Sequence, residues 1–380
     1  MAQPSPQLFV GRPNIGDRTR FLERVGDILD RRWLSNGGKY CQEFEERLRD
    51  FLQVKHAVAV CNATVGLEIA TRAAGFSGEV IVPSFTFVAT AHCLQWQGVQ
   101  PVFADIDPAT HNLDPARIED LITPRTTGIL AVHCWGRPAP IRDLEEIARR
   151  HSLQLMFDAS HAFGCTSEGK MIGGFGVAEV FSFHATKFIN SFEGGVITTN
   201  DDTLAERIQL MRNFGFTGYD QVDYVGTNGK MSEVSAAMGL TNLESLEEFV
   251  AVNRRNHFAY RDALSDLPGV RLLGFDERER SNYQYVVLEI DPEHCPVSRD
   301  RLLQSLHDEG VIARRYFHPG CHRMEPYRSL YPQSHLWLAQ TEAVARRVLI
   351  LPTGTAMDAA AIDRVTSIIR TTVGRASSAA

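Results

Sequence analysis

Lys187 stands where an apolar run ends and a glycine-rich turn begins, in the stretch FSFHATKFINSFEGG spanning 181–195. Most lysines are solvated surface groups, so this amine acquires chemistry only if other parts of the chain supply groups to meet it. Asn62, Ala63 and Thr64 fall between a strand-like and a helix-like segment. They are either an ordinary N-cap or a helix start whose N–H groups and partial positive charge suit a phosphate. Asp158 ends the apolar run Leu153 to Phe157 and opens DASHAFG; a carboxylate there must cap a helix or pair with a cation, because burying it alone is costly. His161 comes three residues later and shares the face of Asp158 if a helical turn begins there. Phe87, in PSFTFVATAH, lies just past a strand end, where its ring is either core filler or a plate for a flat ligand.

Read in chain order, these stretches offer an anion cradle, an aromatic plate, a carboxylate, the hydroxyl of Ser182 and a lysine. A phosphorylated pyridine aldehyde needs that set: phosphate on the helix start, ring face on the aromatic, ring nitrogen on the carboxylate, and aldehyde on the lysine as a Schiff base.

Alternating strands and helices bring the groups together. Strand-like runs at His56 to Val60, Glu79 to Val82, Gln100 to Ala104, Gly128 to His133 and Leu153 to Phe157 alternate with helical segments at Thr64 to Ala74, Thr86 to Gln97 and Ile141 to His151. Val180 to Phe183 and Val196 to Thr199 add two more strands around Lys187. Repeated βαβ units imply a largely parallel sheet covered on both faces by helices, with ligands beyond the carboxyl ends of the strands. That rule predicts a single rim carrying Asn62 to Thr64, Phe87, Asp158 to His161 and Ser182 to Lys187. Before the sheet come an extended arm (1–16), a helix from Thr19 to Trp33 and a second around Phe44 to Phe51. After it come a helix from Asp201 to Asn213, the glycine- and tyrosine-rich loop Phe214 to Lys230, and a long helical region from Ser232 to Leu264. Strands at Tyr283 to Ile290 and Val311 to Tyr316, with helices at Arg299 to Glu309, Glu342 to Arg347 and Ala359 to Val373, form a mixed α+β region; the final RASSAA is expected to fray.

The composition bounds the function. A chain of 380 residues exceeds what one core organises, which suggests a large domain over 1–250 and a smaller one over 251–380. With 39 basic against 46 acidic residues and a net charge of −7, it has no basic stripe for nucleic acid. No apolar run is long enough to span a bilayer and the N-terminus shows no signal pattern, so the expected location is the cytoplasm. The seven cysteines are scattered and never form CxxC pairs, so they read as buried thiols with no metal site.

With these motifs in place, the sequence resembles the DegT/DnrJ/EryC1/StrS sugar aminotransferases, a group within the fold-type I pyridoxal-phosphate transferases. The matching stretches are VIVPSFTFVATA (80–91), PVFADIDPATHNLDP (101–115), FDASHAFG (157–164), FSFHATKFINSFEGG (181–195), RNFG (212–215) and GTNGKMSEVSAAMGL (226–240). The resemblance implies a pyridoxal 5′-phosphate enzyme in which Lys187 forms the Schiff base, Asp158 pairs with the pyridinium nitrogen and Phe87 stacks on the ring. His161 then sits near the phenolic oxygen, and Ala63, Thr64 and Ser182 hold the phosphate. It also implies a homodimer with shared active sites, Asn228 reaching the neighbouring phosphate, and Arg212 or Lys230 contacting a sugar-nucleotide phosphate. Two departures stand out. Asn62, Ala63, Thr64 replaces the more usual Ser-Gly-Thr, and Asn228, Gly229, Lys230, Met231 replaces Asn-Tyr-Arg-Met, so a point charge takes the place of a planar fork. The implied substrates are L-glutamate and a dTDP-linked ketosugar, most like dTDP-4-keto-6-deoxyglucose aminated at C4. The alternatives are a C3 aminotransferase and a cofactor-binding regulatory relative. A dehydratase relative would replace the lysine with histidine, and a cysteine desulfurase would need a cysteine on a glycine-rich lid.

Overall fold

The computed structural model describes residues 6–377. The start of the expected arm and the end of RASSAA lie outside the described residues. The strand Leu8–Phe9 (β1) precedes two amphipathic helices, Arg18–Arg31 (α1) and Lys39–Leu52 (α2). Strands and helices then alternate: His56–Val60 (β2), Ala63–Ala73 (α3), Glu79–Pro83 (β3), Ala89–Gln95 (α4), Gln100–Ala104 (β4), Thr126–Val132 (β5), Ile141–His151 (α5) and Gln154–Asp158 (β6). A short hairpin, Thr166–Ser167 (β7) and Lys170–Met171 (β8), leads to Ala178–Ser182 (β9) and Gly195–Thr199 (β10). Asp202–Arg212 (α6), an exposed hairpin of Phe216–Gly218 (β11) and Gln221–Val222 (β12), Glu233–Glu244 (α7) and Leu246–Leu264 (α8) follow. The remainder comprises Val270–Leu272 (β13), Val286–Ile290 (β14), Arg299–Asp308 (α9), Val311–Ile312 (β15), Tyr327–Leu330 (α10), Ala339–Arg347 (α11), Val348–Leu351 (β16) and Ala359–Ser377 (α12).

Seven strands form the large sheet in the order β2-β10-β9-β6-β5-β3-β4, parallel throughout except for β10. Strand periodicity sends alternate residues to opposite faces. Val58, Val80, Val82, Leu130, Met156 and Ile197 face one way, toward α3 and α6, while Ala59, Ile81, Ile129, Leu155, Phe157 and Val196 face α2, α5 and α7. Both faces are dry, which explains the nearly continuous apolar runs; each buried aliphatic contributes about 1.5–3 kcal/mol. Side-chain caps set the helix starts: Asn62 accepts from Val65, Asp201 from Leu204 and Ser232 from Ser235.

A second, antiparallel sheet of order β13-β14-β16 packs with α8, α9 and α12 around its own core, to which Leu8 also belongs. The arm reaches this core because β1 pairs in parallel with β15. Several elements differ from the sequence reading: the helix expected from Thr86 begins at Ala89, and the expected loop Phe214 to Lys230 holds the β11–β12 hairpin. The helical region from Ser232 breaks at Ser245 into α7 and α8. The strand expected from Tyr283 begins at Val286, because Tyr283 adopts a left-handed backbone with φ 49°. The strand expected through Tyr316 stops at Ile312, beyond which Arg314 makes an isolated bridge to Ile350. No described helix is long and apolar enough to cross a membrane.

Candidate active site

The parallel register aligns the strand ends. Val132 pairs with Asp158 and Asp158 with Val180, so the carboxyl ends of β5, β6 and β9 share one edge of the sheet. Asp158 is 5% exposed there. Thr90 on α4 donates its hydroxyl to Oδ2 at 2.8 Å, and the Ser160 N–H donates to Oδ1 at 3.1 Å. Thr90 is backed in turn by Thr86, 2.9 Å away between hydroxyl oxygens. These donors compensate the charge and fix the carboxylate plane.

His161 is buried in a ring cluster. Its imidazole lies nearly parallel to the rings of Trp135 and Phe317, at centroid distances of 6.0 and 5.9 Å, and 4.6 Å from that of Tyr285. Burial, aided by the nearby Lys187 ammonium, holds it well below the usual histidine range, so the ring is neutral. The backbone N–H of Trp135 donates to Nδ1 at 3.3 Å, which leaves the proton on Nε2 as a donor. Trp135 presents that N–H from a left-handed backbone, φ 63°, and its indole N–H is held by His111 Nδ1 at 3.0 Å. Beneath the same turn, Asn282 donates to the carbonyls of His161 and Phe163, at 2.8 and 3.0 Å.

The N-terminus of α3 faces the same rim. Asn62 Oδ1 takes the N–H of Val65 at 2.9 Å, and among the described residues no protein acceptor takes the N–H groups of Ala63 and Thr64. Gly195 packs against this terminus so closely that a Cβ there would lie 2.9 Å from the Ala63 nitrogen. The Ser182 hydroxyl, at the end of β9, accepts from His184 N–H at 3.3 Å and keeps its own proton to donate. Phe87 leaves its ring 60% exposed beside this rim, although apolar rings usually bury that surface. Free N–H donors, a bare ring face, a buried carboxylate and an amine together suit a planar phosphorylated aldehyde; the cradle under Gly195 has no room for a side chain.

Lys187 completes the set. Its amine donates to the Tyr285 hydroxyl at 3.2 Å. Burial pulls its pKa down to about 8, against a partial opposing pull from Asp158. The ammonium still predominates at pH 7, but the free amine that a nucleophile or proton carrier requires is far more populated than in an ordinary lysine.

The outer candidates are already engaged within the chain. Arg212 donates to Glu45 Oε1 at 2.5 Å and to the Ala59 carbonyl at 2.8 Å. Lys230 donates to Asn213 at 3.0 Å and lies 4.6 Å above the Phe214 ring. Asn228 is exposed, next to a residue whose carbonyl accepts from Cys61 at the end of β2. Sequence reasoning passed over Thr90, Trp135, Asn282 and Tyr285. Only Thr90 carried a local signal: Thr86 and Thr90 stand four apart, on one face of a turn that starts beside Phe87.

The model of the DegT/DnrJ/EryC1/StrS aminotransferase family matches residues 16–370. The chain is 36% identical over 363 residues to the dTDP-4-amino-4,6-dideoxy-D-glucose transaminase of Shigella dysenteriae, covering 96% of this chain and 98% of that protein. It is 37% identical over 370 residues to the GDP-perosamine synthase of Caulobacter vibrioides, covering 95% and 96%. The crystal structure of DesI with its TDP-sugar product superposes with a TM-score of 0.94 at 51% identity, covering 99% of this chain and 95% of that one.

Proposed function

Because the chain belongs to the DegT/DnrJ/EryC1/StrS aminotransferase family, whose members are pyridoxal-phosphate-dependent sugar transaminases, we propose that it moves an amino group from L-glutamate to C4 of dTDP-4-keto-6-deoxy-D-glucose. The observation that carries the reading is the Lys187 amine, held near pKa 8 on the rim that also bears Asp158, Phe87 and the α3 terminus. The sugar and its C4 position rest on the named relatives, two of which are called for dTDP- or TDP-linked sugars.

The cofactor, when bound, supplies an aldehyde that condenses with amines and a ring that takes up the electron pair left when the donor loses its α-proton. The chain's own groups do the rest. Ala63 and Thr64 N–H groups and the Ser182 hydroxyl hold the phosphate, and Phe87 covers one ring face. Asp158, braced by Thr90 and Ser160, keeps the ring nitrogen protonated. His161 donates from Nε2 to the phenolic oxygen. Lys187 would hold the aldehyde carbon at rest, and once freed by the donor its amine would carry a proton between the donor's α-carbon and C4′. Ketosugar enters in the second half-reaction, and the same residues act in reverse order. Lys230 or Arg212 meets the sugar-nucleotide phosphates.

The active sites are shared in a homodimer, with the partner's Asn228 reaching the phosphate. Supporting this, Trp33, Leu34, Phe192 and Phe216 are large apolar residues left between 39% and 57% exposed. Large apolar side chains left open to water are what an interface between copies would cover. All seven cysteines are free, which supports the cytoplasm as the place of action.

Purified protein given L-glutamate and dTDP-4-keto-6-deoxyglucose should yield the C4 amine. An amine at C3, or none, refutes the assignment, as does turnover by Lys187→Ala. The GDP-perosamine synthase relative makes a GDP-linked 4-keto-6-deoxysugar the control: faster turnover of that substrate would move the nucleotide assignment to GDP.

A further inference from the structure

Tyr285 contributes the hydroxyl that meets the Lys187 amine, 3.2 Å away, and the contact crosses from the segment leading into β14 to the rim of the large sheet. The residue is 7% exposed. Its ring packs edge-on against Trp135 at 5.4 Å and tilted against His161 at 4.6 Å. A phenylalanine would make the same ring contacts without burying a hydroxyl, and an unpaired buried hydroxyl is costly. The oxygen meets the lysine amine, with the Gln284 side chain beside it, and of the two the lysine is the group on the rim of the large sheet.

The segment that carries the phenol is pinned to the site. Tyr283 is in the left-handed region. Asn282, fully buried, bonds two carbonyls of the DASHAFG turn and accepts the Gln284 N–H at 3.0 Å. Tyr285 thus moves with the turn that carries Asp158 and His161, and it has little freedom to leave the amine. The groups facing the amine are Asp158, His161 and Tyr285, with Tyr316 and Cys134 next to the phenol.

We propose that Tyr285 is a positioning residue for Lys187: whenever the amine is released from the cofactor, the phenol oxygen holds it at the place from which it carries the proton. This rests on the reading of Lys187 as that carrier. In the step itself the amine takes a proton from the donor's α-carbon, becomes an ammonium and gives one proton to C4′. Tyr285 accepts a hydrogen bond from the amine throughout and keeps its own proton. Burial, which raises the phenol well above its ordinary range, keeps it neutral while it does so.

The test compares wild type, Tyr285→Phe and Lys187→Ala with two readouts. In full-length protein freed of cofactor, competitive dinitrophenylation of Lys187 against pH should give a wild-type midpoint of about 8. In Tyr285→Phe the midpoint should fall by about one pH unit, since the ammonium loses an acceptor. In steady-state assays of the loaded enzyme with glutamate and ketosugar, Tyr285→Phe should lower kcat about 10- to 100-fold while the KM for glutamate changes less than about twofold. Incorporating 3-fluorotyrosine at 285, which keeps the hydroxyl, should restore kcat. The proposal is overturned if Tyr285→Phe keeps the wild-type midpoint, whatever its rate, or if fluorotyrosine fails to restore turnover. If Lys187→Ala still turns over, the carrier reading itself has failed; if Lys187→Ala is dead and Tyr285→Phe behaves as wild type, only the role of Tyr285 falls.

Discussion

Acid should loosen the segment that carries Asn282 and Tyr285, acting through one histidine. His257 on α8 is 2% exposed, and its ring sits 5.2 Å from Phe275 and 5.4 Å from Tyr283. Its Nδ1 finds no partner among the described residues. Burial, with a smaller push from Arg261, lowers its pKa from 6.5 to about 4. The folded-state value is below the unfolded one, so the unfolded chain binds the proton first as pH falls. The contribution to stability is intact above pH 6.5 and is lost progressively down to about pH 4. At about 1.4 kcal/mol per pKa unit, linkage gives a loss of about 2 kcal/mol at pH 5 and about 3 kcal/mol at pH 4. Urea unfolding of wild type and His257→Leu between pH 4 and pH 8 isolates this term, because every other titrating group is common to both proteins. The wild-type curve should fall away from that of the variant by about those amounts. Parallel curves, with a constant offset at every pH, would refute the claim that a neutral, buried His257 supports the segment.

Other perturbations follow from the same geometry. Phe87→Ala should leave unfolding midpoints nearly unchanged, since the ring is 60% exposed, but weaken cofactor binding about tenfold in an absorbance titration, the worth of one aromatic contact. Gly195→Ala places a methyl 2.8 Å from the Phe181 carbonyl and 2.9 Å from the Ala63 nitrogen. Backbone must shift, so we expect about 1–3 kcal/mol of destabilisation by urea unfolding, with weaker retention of the cofactor. Asn282→Ala strips partners from two buried carbonyls and the Gln284 N–H. At about 1–3 kcal/mol for each buried group left unpaired, chemical denaturation should show a loss of about 3 kcal/mol or more.

Local sequence was enough for the groups that chain direction alone delivers. Lys187, Asp158, Phe87 and the Asn62 to Thr64 turn each follow an apolar run of strand length, and a parallel sheet sends every such run to the same rim. The nearly continuous burial of β3 and β6 made those runs visible. The remaining parts of the site are set by contacts between residues far apart in the chain. Thr90 reaches Asp158 across 68 positions, Tyr285 reaches Lys187 across 98, and Asn282 reaches His161 across 121. Neither strand nor helix periodicity extends over such distances. The state of His161 likewise depends on a left-handed Trp135, which its own type disfavours and which packing against His111 and Phe317 enforces. The sequence by itself thus determined which reactive groups line the rim, because strand order and side-chain type are local properties. Only the tertiary structure decided their protonation, orientation and supporting partners, because burial and hydrogen bonding exist only once the two sheets are packed together.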